Sequence, residues 1–194
     1  MSKRFLKVMP VINVLIASIT ILLFLIYAVY YYTVDNIFMM NSSLVIIIVP
    51  LLIYIIDKII GHKIPQTIKF IYLLFFFFSA GLGAIANFYN IVPYYDKFVH
   101  SLMGILISWL FVFLYDRYKK HQKYDLKICA VSLICFTSTV AVFWEICEFT
   151  FDMLFNKHVQ RGNTDTMTDM MVAILGCLIV LFIFICKKRH QRRQ

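Results

Sequence analysis

Six times along this chain a long apolar run gives way to a short polar break. The runs occupy roughly residues 9–32, 43–60, 68–91, 98–115, 127–151 and 167–186. About 20 apolar residues, rising 1.5 Å each, cross a hydrocarbon core about 30 Å thick, so each run predicts one transmembrane helix. The second is the weakest, because Pro50 interrupts it and Asp57-Lys58 closes it early; it is expected to kink or tilt. The expected fold is all-α, a six-transmembrane-helix bundle forming a single integral membrane domain over residues 1–194. The breaks leave no room for a separate soluble domain.

Composition agrees with this pattern. With 62% hydrophobic and 17% aromatic residues, the chain has too little polar surface to coat a water-soluble domain. Lys3, Arg4 and Lys7 ahead of an apolar stretch imitate a secretion signal, yet the run from Val8 to Tyr32 is too long for one and no small-x-small cleavage site follows. It reads as a retained first span. Cys129, Cys135, Cys147, Cys177 and Cys186 fall inside or at the ends of predicted helices without CxxC pairing, as small packing residues do.

The formal charge of +9 gains meaning from its distribution. With the N-terminus in the cytoplasm, sixteen of the nineteen Lys and Arg residues lie on the inner side. These are Lys3, Arg4 and Lys7; Lys58, Lys63 and Lys69; Arg117, Lys119, Lys120, Lys123 and Lys127; and Lys187, Lys188, Arg189, Arg192 and Arg193. Only Lys97, Lys157 and Arg161 fall outside. Short loops rich in Lys and Arg stay in the cytoplasm, so both termini are expected there. Tyr27, Tyr30, Tyr31 and Tyr32, and again Tyr89, Tyr94 and Tyr95, sit at predicted outer span ends, as amphipathic rings do at a headgroup interface. The basic residues thus report topology and contact with anionic headgroups at the cytoplasmic face, not nucleic acid. No internal repeat marks a duplicated transporter.

Once the chain is oriented, its carboxylates gather at one end. Asp96 and His100, at the start of the fourth span, are four residues apart and share a helix face, so the carboxylate can orient the imidazole or join it on a cation. Taken alone, the pair also fits a helix start with an acidic first turn. In the fifth span Glu145, Glu148 and Asp152 fall within about 60° of one another at 100° per residue, while Cys147 points away. Glu145 is expected about 9–10 Å below the helix end, at a depth where an acidic residue costs about 2.5–3.5 kcal/mol and functional roles are the rule. Opening the sixth span, Asn163, Thr164 or Asp165 can cap the helix, and Asp169 lies one turn inside on the face of Asp165. Asn87, Asn90 and the loop residue His158 are lesser candidates. The small-residue stretch from Ser79 to Ala84 reads as a close helix-packing seam. Of the ten acidic residues, only Asp35, Asp57, Asp116 and Asp125 fall outside these three stretches.

The order YDKFVH, WEICEF, DTMTDMMVAILG resembles the YjdF-like family of bacterial inner-membrane proteins, over about residues 68–185. The first motif is also similar to the Asp-Lys-x-x-His of VanZ-like membrane proteins. The resemblance implies a multi-pass protein of the bacterial cytoplasmic membrane and carries over Asp96, Lys97, His100, Glu145, Glu148, Asp165 and Asp169; it implies no reaction. Asp152 rests on periodicity alone.

One histidine among carboxylates is an oxygen-rich set, suited to Mg²⁺, Mn²⁺ or Ca²⁺ ahead of Zn²⁺ or iron. The leading expectation is a metal-dependent hydrolase or transferase acting on lipid or lipid-linked phosphate headgroups at the outer leaflet. Asp96, His100, Glu145, Glu148, Asp165 and Asp169 form the metal set; Glu145, His100 and Lys97 carry the chemistry, with Glu145 as ligand or general base and Lys97 as phosphate partner. The alternatives are a proton- or cation-coupled transporter and a non-catalytic scaffold with a structural cation. Membrane lipids are the expected partners, with homo-oligomerisation left open. Single cysteines introduced across residues 154–162 of a chain otherwise free of cysteine are expected to react with an impermeant thiol reagent from outside intact cells. Labelling only after the cytoplasm is opened would reverse the topology.

Overall fold

A computed structural model describes residues 3–118, 125–156 and 158–191, with side chains placed for 7–118, 125–156 and 158–189. Lys3 and Arg4 therefore contribute only backbone, while Lys119, Lys120, Lys123, Lys157, Arg192 and Arg193 of the basic-residue division lie outside the described residues. Among the described residues the regular structure is entirely helical, and six helices are long and apolar enough to cross a membrane: Lys7–Thr33, Ile37–Ile59, Gln66–Ile85, Tyr95–Tyr118, Leu126–Phe155 and Asn163–Arg189. The all-α, six-span expectation holds. The chain divides into two compact units, Met1–Tyr95 and Asp96–Gln194.

The first unit begins with α1 (Lys3–Thr33), followed by α2 (Ile37–Val45) and α3 (Ile48–Ile59), which share the second span. The break between α2 and α3 falls at residues 46–47, just ahead of Pro50. Proline has no N–H to return to the carbonyl four residues back, which is why the interruption precedes the ring rather than coinciding with it. α4 (Gln66–Phe76) continues into a π-helical stretch, Phe77–Ile85, that ends with the Ala86 N–H bonded to the Gly81 carbonyl. The third span therefore stops at Ile85, short of the expected residue 91. Asn87 takes a left-handed conformation (φ 65°), and residues 88–91 form a separate single turn, α5 (Phe88–Ile91). Gly81 confirms the packing seam, since a Cβ there would stand 3.1 Å from Leu23 of α1.

Lys69 and Asp57 overturn their reading as loop charges. Both are buried, and the Lys69 ammonium lies 2.6 Å from Asp57 Oδ2. The same carboxylate accepts the Ile64 N–H at 2.8 Å and faces His62 Nδ1 at 3.2 Å. This ion pair joins α3 to α4 and pins the connection between them. Apolar periodicity could not reveal it, because the two residues meet only through the turn. Tyr31, near the end of the first span, donates to the Ile85 carbonyl at the end of the third at 2.7 Å.

The second unit consists of α6 (Tyr95–Tyr118), α7 (Leu126–Phe155) and α8 (Asn163–Gln191). Val112, Cys129, Leu133, Cys177, Leu181 and Phe184 form its buried core, so Cys129 and Cys177 act as packing residues, whereas Cys135, Cys147 and Cys186 are exposed. Lipid is as apolar as these side chains, so tight packing and polar contacts between helices must supply much of the association. Ser108 and Thr137, 3.1 Å apart in the interior, give α6 and α7 one such contact. α7 runs to Phe155, which places Glu145 about 15 Å from the helix end at 1.5 Å per residue, deeper than expected.

Replacing Lys69 with methionine leaves a buried carboxylate without its cation, and the expected loss is about 3–5 kcal/mol. A Lys69→Met, Asp57→Asn double variant is expected to recover most of it, as read from denaturation midpoints in detergent.

Candidate metal centre

Two pairs of small residues allow α6 and α8 to approach backbone to backbone. A Cβ on Gly104 would collide with the backbone carbonyl of Ala173, and one on Gly176 would collide with that of Ser101. This crossing lies one turn from His100 on α6 and within two turns of Asp169 on α8, so both side chains enter the same narrow space. Glu145 reaches it from α7.

The result is two overlapping triads. Asp96, His100 and Asp169 present ligand atoms within 4.8 Å of one another, as do His100, Glu145 and Glu148. His100 belongs to both: its Nε2 faces Asp96 Oδ1 at 3.5 Å and its Nδ1 faces Glu145 Oε1 at 3.8 Å. These separations exceed the hydrogen-bond range. Ligands at adjacent octahedral corners stand about 3.0 Å apart around Mg²⁺ and about 3.4 Å apart around Ca²⁺, so a bound cation would draw these groups closer together than they stand. One imidazole nitrogen can bind while a carboxylate orients the other, the usual arrangement behind a histidine ligand.

Buried oxygens without partners point the same way. His100, Glu145 and Asp169 are 3%, 5% and 1% exposed. Asp169 Oδ1 has no hydrogen bond, and Glu145 Oε1 has none of ordinary geometry, although the Thr166 hydroxyl, itself without another partner, stands close enough to donate to Glu145. An unsatisfied buried polar atom costs about 1–3 kcal/mol, and more when charged, so Asp169 Oδ1 and the under-satisfied Glu145 carboxylate favour a ligand, a proton or water. Oxygen-rich coordination by Mg²⁺, Mn²⁺ or Ca²⁺ fits this donor set.

Lys97 supplies the fixed positive charge. Its ammonium bonds Asp165 Oδ1, Asp169 Oδ2 at 2.8 Å and the Asp165 carbonyl at 3.4 Å. The carboxylates of Asp96, Glu145, Glu148, Asp165 and Asp169 together carry a formal −5 against +1 from Lys97, leaving −4 with His100 neutral. Such charge within a membrane helix bundle calls for added cations or protons.

Asp165 does not cap its helix: it lies in the first turn of α8 with its carboxylate on Lys97, while the Gly162 carbonyl accepts the Thr166 N–H. Glu148 accepts the Trp144 indole N–H at 2.7 Å, and it is half-buried where Trp144 is exposed. The acidic stripe on α7 divides above it, because Asp152 leaves the cluster to accept the N–H groups of Val159 and Gln160 at 2.8 and 2.9 Å. Asp152 therefore ties down the α7–α8 loop. His158 is exposed, and Asn87 and Asn90, in the first unit, are exposed and bonded to each other.

Sequence periodicity missed Thr166 and the two glycines. Thr166 directly follows Asp165 in the third motif and could have been found there. Ser101-x-x-Gly104 and Ala173-x-x-Gly176 set small residues on one face of each helix, three residues apart rather than the four of the usual close-crossing motif, and nothing in the spacing names which helix each one meets.

The match to a family model runs through this whole arrangement, over residues 12–190. The chain belongs to the predicted membrane protein family DUF2238. A relative from Thermotoga maritima, described as an uncharacterized protein, is 30% identical over 138 residues, 70% of each chain. No solved structure matches. Membership of DUF2238 and the six spanning helices establish a membrane protein.

Gly176→Val is expected to force α8 away from Ser101, costing on the order of 1–3 kcal/mol and reducing any stabilisation that added Mn²⁺ gives. Cys147→Val, on the exposed face of α7, is expected to change neither. Thermal unfolding with and without added Mn²⁺ compares the two.

Proposed function

We propose that this protein is a divalent-cation-dependent membrane hydrolase or transferase, acting on the phosphate headgroups of lipids or lipid-linked molecules. The observation that carries the proposal is the convergence of unpartnered, buried oxygens of Glu145 and Asp169 on His100, with Asp96 and Glu148 beside them. A site built only to hold helices together has no need to leave such groups unsatisfied. The positive-inside distribution of basic residues supports an orientation with both termini cytoplasmic and the site toward the outer face of a bacterial cytoplasmic membrane. The YjdF-like motif resemblance, finer than DUF2238 membership, points to the same residues.

A divalent cation held by this set supplies Lewis-acid polarisation of a phosphoryl oxygen and of water. The chain's own groups divide the remaining work. Glu145, buried with the Thr166 hydroxyl beside it, would take a proton from attacking water. Asp96 orients the His100 ring from the far side, so that the nitrogen facing Glu145 serves as ligand or proton carrier. Lys97 offsets the acidic charge at the half-buried mouth, where an anionic headgroup would otherwise be repelled.

Elemental analysis of the purified protein is expected to find a divalent cation, reduced at least tenfold in a Glu145→Gln, Glu148→Gln double variant. Phosphate release from lipid phosphate esters in vesicles should stop with chelator and resume with Mg²⁺ or Mn²⁺. A folded wild type without metal rejects the metalloenzyme. Bound metal without any turnover of phosphate esters, and with unchanged cellular lipids, points instead to a structural cation.

A further inference from the structure

We propose that Lys97 occupies the second cation position of this centre, so that the site holds one divalent ion where two would otherwise bind. The inference rests on the cation reading above and deepens it by fixing the count. The Lys97 ammonium has the surroundings of an ion in an oxygen cage: Asp165 Oδ1, the Asp165 carbonyl and Asp169 Oδ2 meet it, one acceptor for each of its three protons. Two of the donors meet carboxylate oxygens and the third faces the Asp165 carbonyl at the longer distance of 3.4 Å, so in this arrangement the ammonium is turned toward α8.

Asp169 gives the position its meaning. One carboxylate oxygen, Oδ2, bonds the ammonium at 2.8 Å. The other, Oδ1, is buried without a partner, in a residue 1% exposed that shares a triad with Asp96 and His100. A carboxylate that bridges two metal ions turns one oxygen to each, with the ions about 3.5–4 Å apart. Asp169 stands in that pose, with a lysine nitrogen on one side.

Chemistry distinguishes the two occupants. An ammonium tethered to α6 does not dissociate, supplies +1 rather than +2, and cannot polarise water as a metal does. It leaves the triad of Asp96, His100 and Asp169, which holds the unpartnered Oδ1, as the place for a single exchangeable ion. It also keeps Asp165 and Asp169 from capturing one, with Lys97 and Asp165 partly exposed at 21% and 18% and Asp169 buried beneath them at 2%. Without Lys97, two carboxylates and a backbone carbonyl would face one another around an empty centre, which is a ready hard-cation site.

Titration of the purified, metal-stripped protein with Mn²⁺ provides the test. Wild type is expected to take up one tight equivalent and to give the six-line paramagnetic resonance spectrum of an isolated ion. Lys97→Met is expected to take up two, with the exchange-coupled spectrum of neighbouring ions, and adding Asp165→Asn should return the count to one. Two equivalents or a coupled spectrum in wild type overturn the proposal without any variant. So does a folded Lys97→Met protein, by circular dichroism and gel filtration, that still binds one. No Mn²⁺ in wild type defeats the cation reading itself, an outcome distinct from the wrong count.

Discussion

Negative charge confined among membrane helices is the constraint around which the second unit is organised. Five carboxylates converge where α6, α7 and α8 meet, and one lysine opposes them. In lipid there is no bulk water to spread that charge, so every carboxylate must find a proton, a cation or a donor. The structure supplies donors to some and not to others. Asp165 and one oxygen of Asp169 have Lys97, and Glu148 has the indole of Trp144, while Glu145 Oε1 and Asp169 Oδ1 have no bond of ordinary geometry. The pattern of satisfied and unsatisfied oxygens, more than the number of acids, is what marks the cluster as a site.

The same cost is handled differently in the first unit. Asp57 meets Lys69 at 2.6 Å and also accepts a backbone N–H, so its charge is matched within the protein. It is a closed ion pair that fastens two helices through a short turn. Comparing the two units separates a structural use of buried charge from an unfinished one, since among the described residues the cluster in the second unit alone combines several acids, a shared histidine and orphaned oxygens.

Geometry that holds the cluster comes from residues with no chemistry of their own. Gly104 and Gly176 let α6 and α8 touch through their backbones, and Asp152 spends its carboxylate on the N–H groups of the α7–α8 loop. Both fix how far into the bundle α8 carries Thr166 and Asp169. A carboxylate positioned by packed helices rather than by a loop keeps its place when its charge is unbalanced, which is the condition a cation site requires before it is filled.

Hydrophobic run lengths alone determined the six helices and the membrane class, because the hydrocarbon thickness sets a length that any spanning segment must meet. The i, i+3 and i, i+4 spacings were enough to align Asp96 with His100 and Glu145 with Glu148, since these relations stay within one helix. Periodicity also placed Asp152 on the Glu145 stripe, but the loop beyond the helix claimed its carboxylate. The helix crossings lay beyond the sequence's reach. Lys97 had the pattern of an outward charge and proved to bridge Asp165 and Asp169; Lys69 looked like a loop charge and proved to be the buried mate of Asp57; the π-helical turn at Phe77–Ile85 ended a span the apolar run would have continued. Each of these depends on which atoms meet across helices or on how the backbone hydrogen bonds shift register, and one-dimensional spacing does not encode either. Only the tertiary structure decided which carboxylates were given a partner and which were left to wait for one.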